Sequence, residues 1–287
     1  DKLFGSMQII FYLLYSKAPL VLFDIGLGIL LALAVSTALQ KKVLKLWMFN
    51  PLTLWVTSAI GQIDIYPTFF IVLSWLFISK GKLSLASLAL GVGGAVKSSP
   101  FLLLPLLLGL GQNFKERVKL TILAVLPYLA TVFPYLQSPE FRQNALLAPQ
   151  LGKSFFAQVP LSGGESILIV FSMLIFIYYI YFSQKRHAVD FLKYGLVILL
   201  LTLSFTHFHL QWFLWLTPFL IIWLIAHWTD DIKLAACGLS AGFLLMLFLF
   251  DASLQVRLLS PILPFLEKSP GLAEVLSNDK IIFLRSS

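Results

Sequence analysis

Residues 167–182 read ILIVFSMLIFIYYIYF, an apolar run with no charge in it. Runs of this kind recur along the whole chain, and they constrain the fold more than any other feature. A strand of an outer-membrane barrel alternates apolar and polar residues over about ten positions. Continuous apolar runs instead predict helices whose backbone groups are satisfied internally in hydrocarbon. The composition agrees: 59% of residues are hydrophobic and 12% charged, against about 25% charged in a soluble domain. The expected fold is all-α, a polytopic transmembrane helical bundle forming one domain over 1–287, with nine or ten membrane segments.

The sequence divides as follows. Residues 3–15 are apolar but too short to span alone, and are read as interfacial or as completing a span. Residues 18–39 read as a clean span. The run 43–61 contains Asn50-Pro51, where a kink is expected. Runs 63–79, 83–97 and 100–111 follow, the last two separated by KSSP and open to being one long kinked span. Next come 118–136, a polar loop at 137–165, and runs 166–183, 194–207, 210–228 and 232–250. The tail 251–287 mixes prolines, charges and apolar patches and is expected to form interfacial helices.

Basic residues orient these segments. Lys41/Lys42/Lys45, Lys80/Lys82, Lys115/Arg117/Lys119 and Lys185/Arg186/Lys193 fall on one side if each run crosses once. That side reads as cytoplasmic. Lys17, the GQID stretch at 61–64, Lys97, the 137–165 loop, the THFH stretch at 206–209 and the tail then lie on the other. The net charge of +8 is therefore a topology signal, with no basic face to track nucleic-acid phosphates. The single cysteine, Cys237, excludes an intrachain disulfide and any zinc site that needs two thiolates. The chain begins at Asp1 and shows no signal peptide, and is read as a fragment.

Ionisable groups inside spans are costly and are functional candidates by default. Asp24 lies six residues into the run 18–39; pairing with Lys17 or an interfacial position accounts for it equally well. Gln62 and Asp64 follow Gly61 and precede Tyr66-Pro67, a pattern that also suits an ordinary turn. Lys97 sits in LGVGGAVKSSPFLLLP, where glycines permit close helix contact and Pro100 favours a break. A cation beside a broken helix suits an anionic group such as phosphate; snorkelling to an interface is the plainer reading. His207, His209 and Gln211 lie at a membrane boundary and can donate hydrogen bonds to a phosphate or sugar. At a spacing of two on a helix the histidines face different sides, which argues against a metal site. Trp212 and Trp215 read as an interfacial belt. The chain has no Walker loop, dinucleotide fingerprint, HExxH or GxSxG, which excludes an ATP-driven pump within it.

The order FNPLTL (49–54), GQID (61–64), Lys80/Lys82 and VKSSPFLLLP (96–105) resembles the membrane-embedded glycosyltransferases of the GT-C superfamily. The pattern is most similar to the bacterial polyprenyl-phosphate-mannose-dependent group and the mannosyltransferases of GPI-anchor assembly. SKAPLVLFDIGLGILLAL (16–33) resembles the segment after their first external loop, and HFHLQWFLWLTP (207–218) a later boundary. The resemblance covers roughly 16–218. It implies an integral protein of a bacterial inner membrane with its active site on the non-cytoplasmic side. It implies transfer of a hexose, mannose by the nearest pattern, from a polyprenyl-phosphate sugar to a lipid, glycan or protein acceptor. No cofactor or metal is implied. Lys97 with His207 or His209 would bind the lipid phosphate, and Gln62 and Asp64 would contact hydroxyls. The family's general base lies in the first external loop, expected here before residue 16, so no catalytic residue is assigned. The rival readings are a transporter or lipid flippase built on the broken helices, and a non-catalytic membrane scaffold.

Overall fold

A computed structural model describes residues 2–146, 157–206, 209–227, 229–249, 252–271 and 275. Among them the chain is a helical bundle with one small hairpin. Helix α1 runs unbroken over Lys2–Leu33. The expected segments 3–15 and 18–39 are thus one helix that stops at Leu33. Ser16-Lys17-Ala18 contains no helix breaker, and Pro19 removes one internal hydrogen bond without ending the helix. The chain breaks at 34–36, and Ser36, extended at φ −61° and ψ 151°, precedes α2, Thr37–Met48.

The expected kink follows α2. Helix α3, Pro51–Thr53, continues as a π-helix over Leu54–Ile60, and the two halves of the segment meet at 43°. Pro51 cannot donate to the Trp47 carbonyl four residues back. The Thr53 hydroxyl does so instead at 3.1 Å, and the Asn50 N–H at 3.2 Å. Asn50 caps the new helix by accepting from the Leu52 N–H at 3.0 Å. The kink therefore leaves no stranded carbonyl at Trp47.

Helices α4, Ile65–Ser79, and α5, Leu83–Val96, pack side by side. A 3-10 turn at Ser99–Leu103 leads into α6, Leu104–Gly109. Lys97 is extended at φ −156° and ψ 135°, so α5 ends there and 83–97 and 100–111 are separate elements. Helix α7, Phe114–Val132, lies tight against α5. The Ser87 hydroxyl donates to the Leu120 carbonyl. A Cβ on Gly91 would collide with the Ala124 carbonyl oxygen and lie 2.8 and 2.9 Å from its carbonyl carbon and Cα. Small residues here set the helix separation, as is usual between membrane helices.

In the polar loop, one turn of helix, α8, at Pro139–Phe141 runs on into a π-helical turn at Arg142–Leu146. The loop also contains a hairpin that periodicity did not reveal: β1, Gln158–Pro160, pairs antiparallel with β2, Ser166–Leu168. Gly163 and Gly164 take left-handed φ of 80° and 84° at its tip. Helices α9, Ile169–Ser183, α10, Ala188–Phe205, α11, Phe213–Ala226, and α12, Asp230–Leu249, follow. Tyr178 and Tyr181 of α9 donate to the carbonyls of Leu102 (2.5 Å) and Leu106 (2.6 Å), bolting the short broken segment to α9. In the tail, the described residues 252–271 form short 3-10 turns.

Along α1, Leu27 and Leu31 are buried while Leu22, Ile25, Ile29 and Leu33 are exposed. An apolar exterior of this kind is adapted to hydrocarbon. Among the described residues four helices are long and apolar enough to cross a membrane, or five if the kinked segment is one span. Five more apolar helices have 10–17 residues. The expected nine or ten apolar segments are present as elements, but only these four or five reach crossing length. The chain is an integral membrane protein.

Candidate functional site

Gly61 ends the π-helix in the left-handed conformation, φ 81°. Its N–H and that of Gln62 close on the Val56 carbonyl at 3.2 and 3.0 Å. This turn delivers Asp64 to the start of α4. A carboxylate at a helix start commonly caps its own helix, but Asp64 makes no side-chain cap. Its backbone carbonyl accepts from the Thr68 hydroxyl at 2.7 Å, and its side chain turns away from α4. There Asp64 Oδ1 accepts from Lys97 Nζ at 2.8 Å. The carboxylate is 1% exposed and the lysine side chain 29%. Glycines 93 and 94 pack against Pro100 and Phe101 of the next turn, so the break at 97–99 is held closely against the end of α5. The ammonium thus lies at the C-terminal end of a helix, where its charge is favoured.

A wall of aromatic rings closes the pair on one side. Lys97 Nζ lies 5.1 Å from the ring centroid of Trp215 and 5.7 Å from that of Trp212. These two rings stack at 5.4 Å and 16°, and His209 meets Trp212 edge-on at 4.9 Å. Trp215 is 4% exposed, so it is an internal wall of the site and not part of an interfacial belt. Desolvation by such a wall strengthens a cation–π contact. The second carboxylate oxygen, Asp64 Oδ2, and the indole nitrogen Trp215 Nε1 are both buried without a hydrogen bond of good geometry. The indole N–H nevertheless lies close enough to Asp64 to interact with it electrostatically. The two orphans are a complementary acceptor and donor.

Three stretches singled out in the sequence therefore converge: Asp64 from GQID, Lys97 from VKSSP, and His209 with Trp212 from HLQW. Gln62 is half-buried in the same turn as Asp64, and Gln211 is half-buried on the 3-10 turn Leu210–Trp212. His207 lies outside the described residues. Among the described residues no three His, Cys, Asp or Glu side chains group as a metal site. Asp24 does not pair with Lys17. Its carboxylate and its backbone carbonyl both accept from the Trp47 indole N–H at 3.0 Å. Lys17 instead donates to the carbonyls of Ser58 (3.0 Å) and Ala59 (2.6 Å). Sequence reasoning missed the parts played by Trp215 and Lys17. The tryptophan spacing was visible, but the direction of each ring depends on packing.

A cavity of about 300 Å³ lies beside α11. Trp55, Phe213, Thr217, Ser240 and Phe243 are among its lining residues. Phe213 and Thr217 belong to the same helix as Trp215, two positions before and after it and so on its other face. No protein-family model matches the chain, and neither a curated protein nor a solved structure matches it.

Proposed function

We propose that the protein is a membrane glycosyltransferase of the GT-C type, moving a hexose from a polyprenyl-phosphate sugar to a lipid, glycan or protein acceptor. The observation that carries this reading is buried Asp64 paired with half-buried Lys97 against Trp212 and Trp215. An ammonium has three donors, and one N–H of Lys97 is committed to Asp64. The lysine side chain is 29% exposed, which leaves room for a phosphate to approach it. Asp64 holds the ammonium in place.

In the reaction, an acceptor hydroxyl oxygen attacks the anomeric carbon. The bond from that carbon to the phosphate oxygen breaks, and the phosphate leaves with the electron pair. A carboxylate not assigned to any described residue takes the hydroxyl proton. Lys97 steadies the charge growing on the departing phosphate, which in a dry site counts for far more than in water. His209, beside Trp212, supplies a further polar group at the same place. The apolar cavity along α11 suits the prenyl chain of such a donor. If each apolar run crosses once, the basic clusters support a non-cytoplasmic site; the bacterial inner membrane rests on the family resemblance.

Purified protein in proteoliposomes, given radiolabelled polyprenyl-phosphate hexoses and glycolipid acceptors, tests the reading. Transfer that disappears in Lys97→Ala and Asp64→Ala, both still inserted, is the expected result. No transfer to any acceptor, with movement of lipid or solute instead, would replace it with the transporter reading.

A further inference from the structure

We propose that Lys17 is a positioning residue for the candidate site. It would hold the turn Gly61–Asp64 in place by capping the end of the π-helix. The inference rests on the site proposed above, but its first test does not depend on the reaction.

The terminal carbonyls of any helix lack intrahelical partners. Where packing keeps water out, each unpartnered carbonyl is costly. At the end of the π-helix Leu54–Ile60 the Val56 carbonyl is taken by the N–H groups of Gly61 and Gln62. The carbonyls of Ser58 and Ala59 are taken by a residue 41 and 42 positions away, Lys17 of α1. The lysine stem also lies along the turn itself. A Cβ on Gly61 would sit 3.3 Å from Lys17 Cε. The left-handed φ of 81° already favours glycine there.

Lys17 thus grips the chain immediately before Gly61, and Lys97 grips it at Asp64. The segment 58–64 is pinned at both ends by ammonium groups from different helices. The cation also opposes the negative end of the π-helix dipole. A π-helix is wider and less regular than an α-helix and is uncommon in long runs. Its last turn lacks a following helix in line to hold it, since the chain departs through Gly61 into α4. Without Lys17 two carbonyls must find other donors, and the turn carrying Asp64 must move to provide them.

The test uses spin labels on Ile63→Cys and Ser98→Cys, both exposed positions, in a Cys237→Ser background. The distance distribution between them is measured by pulsed dipolar spectroscopy in nanodiscs. Lys17→Met should broaden or shift it, while Lys17→Arg, which retains two donors for two carbonyls, should restore it. A residue that merely added stability would lower the melting temperature and leave the distance unchanged. Should Lys17→Met fail to insert, Lys17→Gln, whose amide has two N–H donors but on a stem one bond shorter and without the charge, should give an intermediate width. A distribution identical to that of the unsubstituted protein in Lys17→Met, or in Lys17→Gln where that variant is used, would overturn the proposal. In the transfer assay Lys17→Met should lower kcat by up to about 10²-fold, the cost of a misplacement of about 1 Å, with rescue by Lys17→Arg. An absence of transfer by the unsubstituted protein would remove the transferase reading, and the distances would still decide the role of Lys17.

Discussion

Removing either member of the Asp64–Lys97 pair should have unequal consequences. Asp64 is 1% exposed and Lys97 29%. In Lys97→Met the carboxylate stays buried without its cation, a change worth about 3–5 kcal/mol. In Asp64→Asn the amide keeps an oxygen for Lys97, and the flexible lysine can turn its head toward water, so the loss should be about 1 kcal/mol. The double variant leaves no buried charge, and its loss should be smaller than that of Lys97→Met alone. The coupling energy should then be about 2–3 kcal/mol, at the upper end for residues in direct contact. Detergent-driven unfolding in mixed micelles, followed by far-UV circular dichroism, gives the four free energies. Additive losses, or a greater loss from Asp64→Asn than from Lys97→Met, would refute the claim that a buried carboxylate depends on this lysine. The same four proteins in the transfer assay separate stability from function. The double variant should regain folding but not activity, since the phosphate would have no cation to meet.

Other outcomes follow from single contacts. Gly91→Ala drives a methyl into the α7 backbone at Ala124, which cannot move like a side chain; a loss of at least about 2–3 kcal/mol is expected in the same unfolding assay, whereas Gly238→Ala, with open space around it, should be neutral. Asp24→Ala leaves the Trp47 indole bonded to the residue 24 carbonyl, so it should cost about 1 kcal/mol; Trp47→Phe strips the donor from both oxygens and opens a packing defect, and should cost more. Glu140 lies in the loop, where its own backbone N–H and then the Ser138 hydroxyl hold the carboxylate below the usual glutamate range. Its contribution to ordering the turn is therefore present above the unfolded glutamate pKa and lost as pH falls through the lower folded value. A carboxyl-carbon NMR titration should place its midpoint below that of an unstructured glutamate, and an unshifted midpoint would contradict the contact.

Much of the fold was legible because helix formation in membranes is local. Each apolar run must satisfy its own backbone, so the all-α class and most element positions follow from periodicity and length. The kink at Asn50-Pro51 and the break between Lys97 and Pro100 were also readable, because proline removes a particular donor wherever it stands. The continuity of α1 was not. Nothing local distinguishes a Pro19 that ends a helix from one that neighbouring helices hold within it. The hairpin 158–168 escaped because its strands are three residues each, too short for alternation to be recognised.

The sequence by itself determined which residues were anomalous: Asp24, Asp64 and Lys97 stand out as polar groups among hydrocarbon. Only the tertiary structure decided their partners. Lys17 passed over Asp24 for two carbonyls of the π-helix, and Asp24 was met by an indole from α2. Asp64 found a lysine 33 residues away, beside two tryptophans that an interfacial reading had turned outward. The physical reason is that composition sets how costly a buried polar group is, whereas its remedy is whichever donor or acceptor the packing of distant helices brings within about 3 Å.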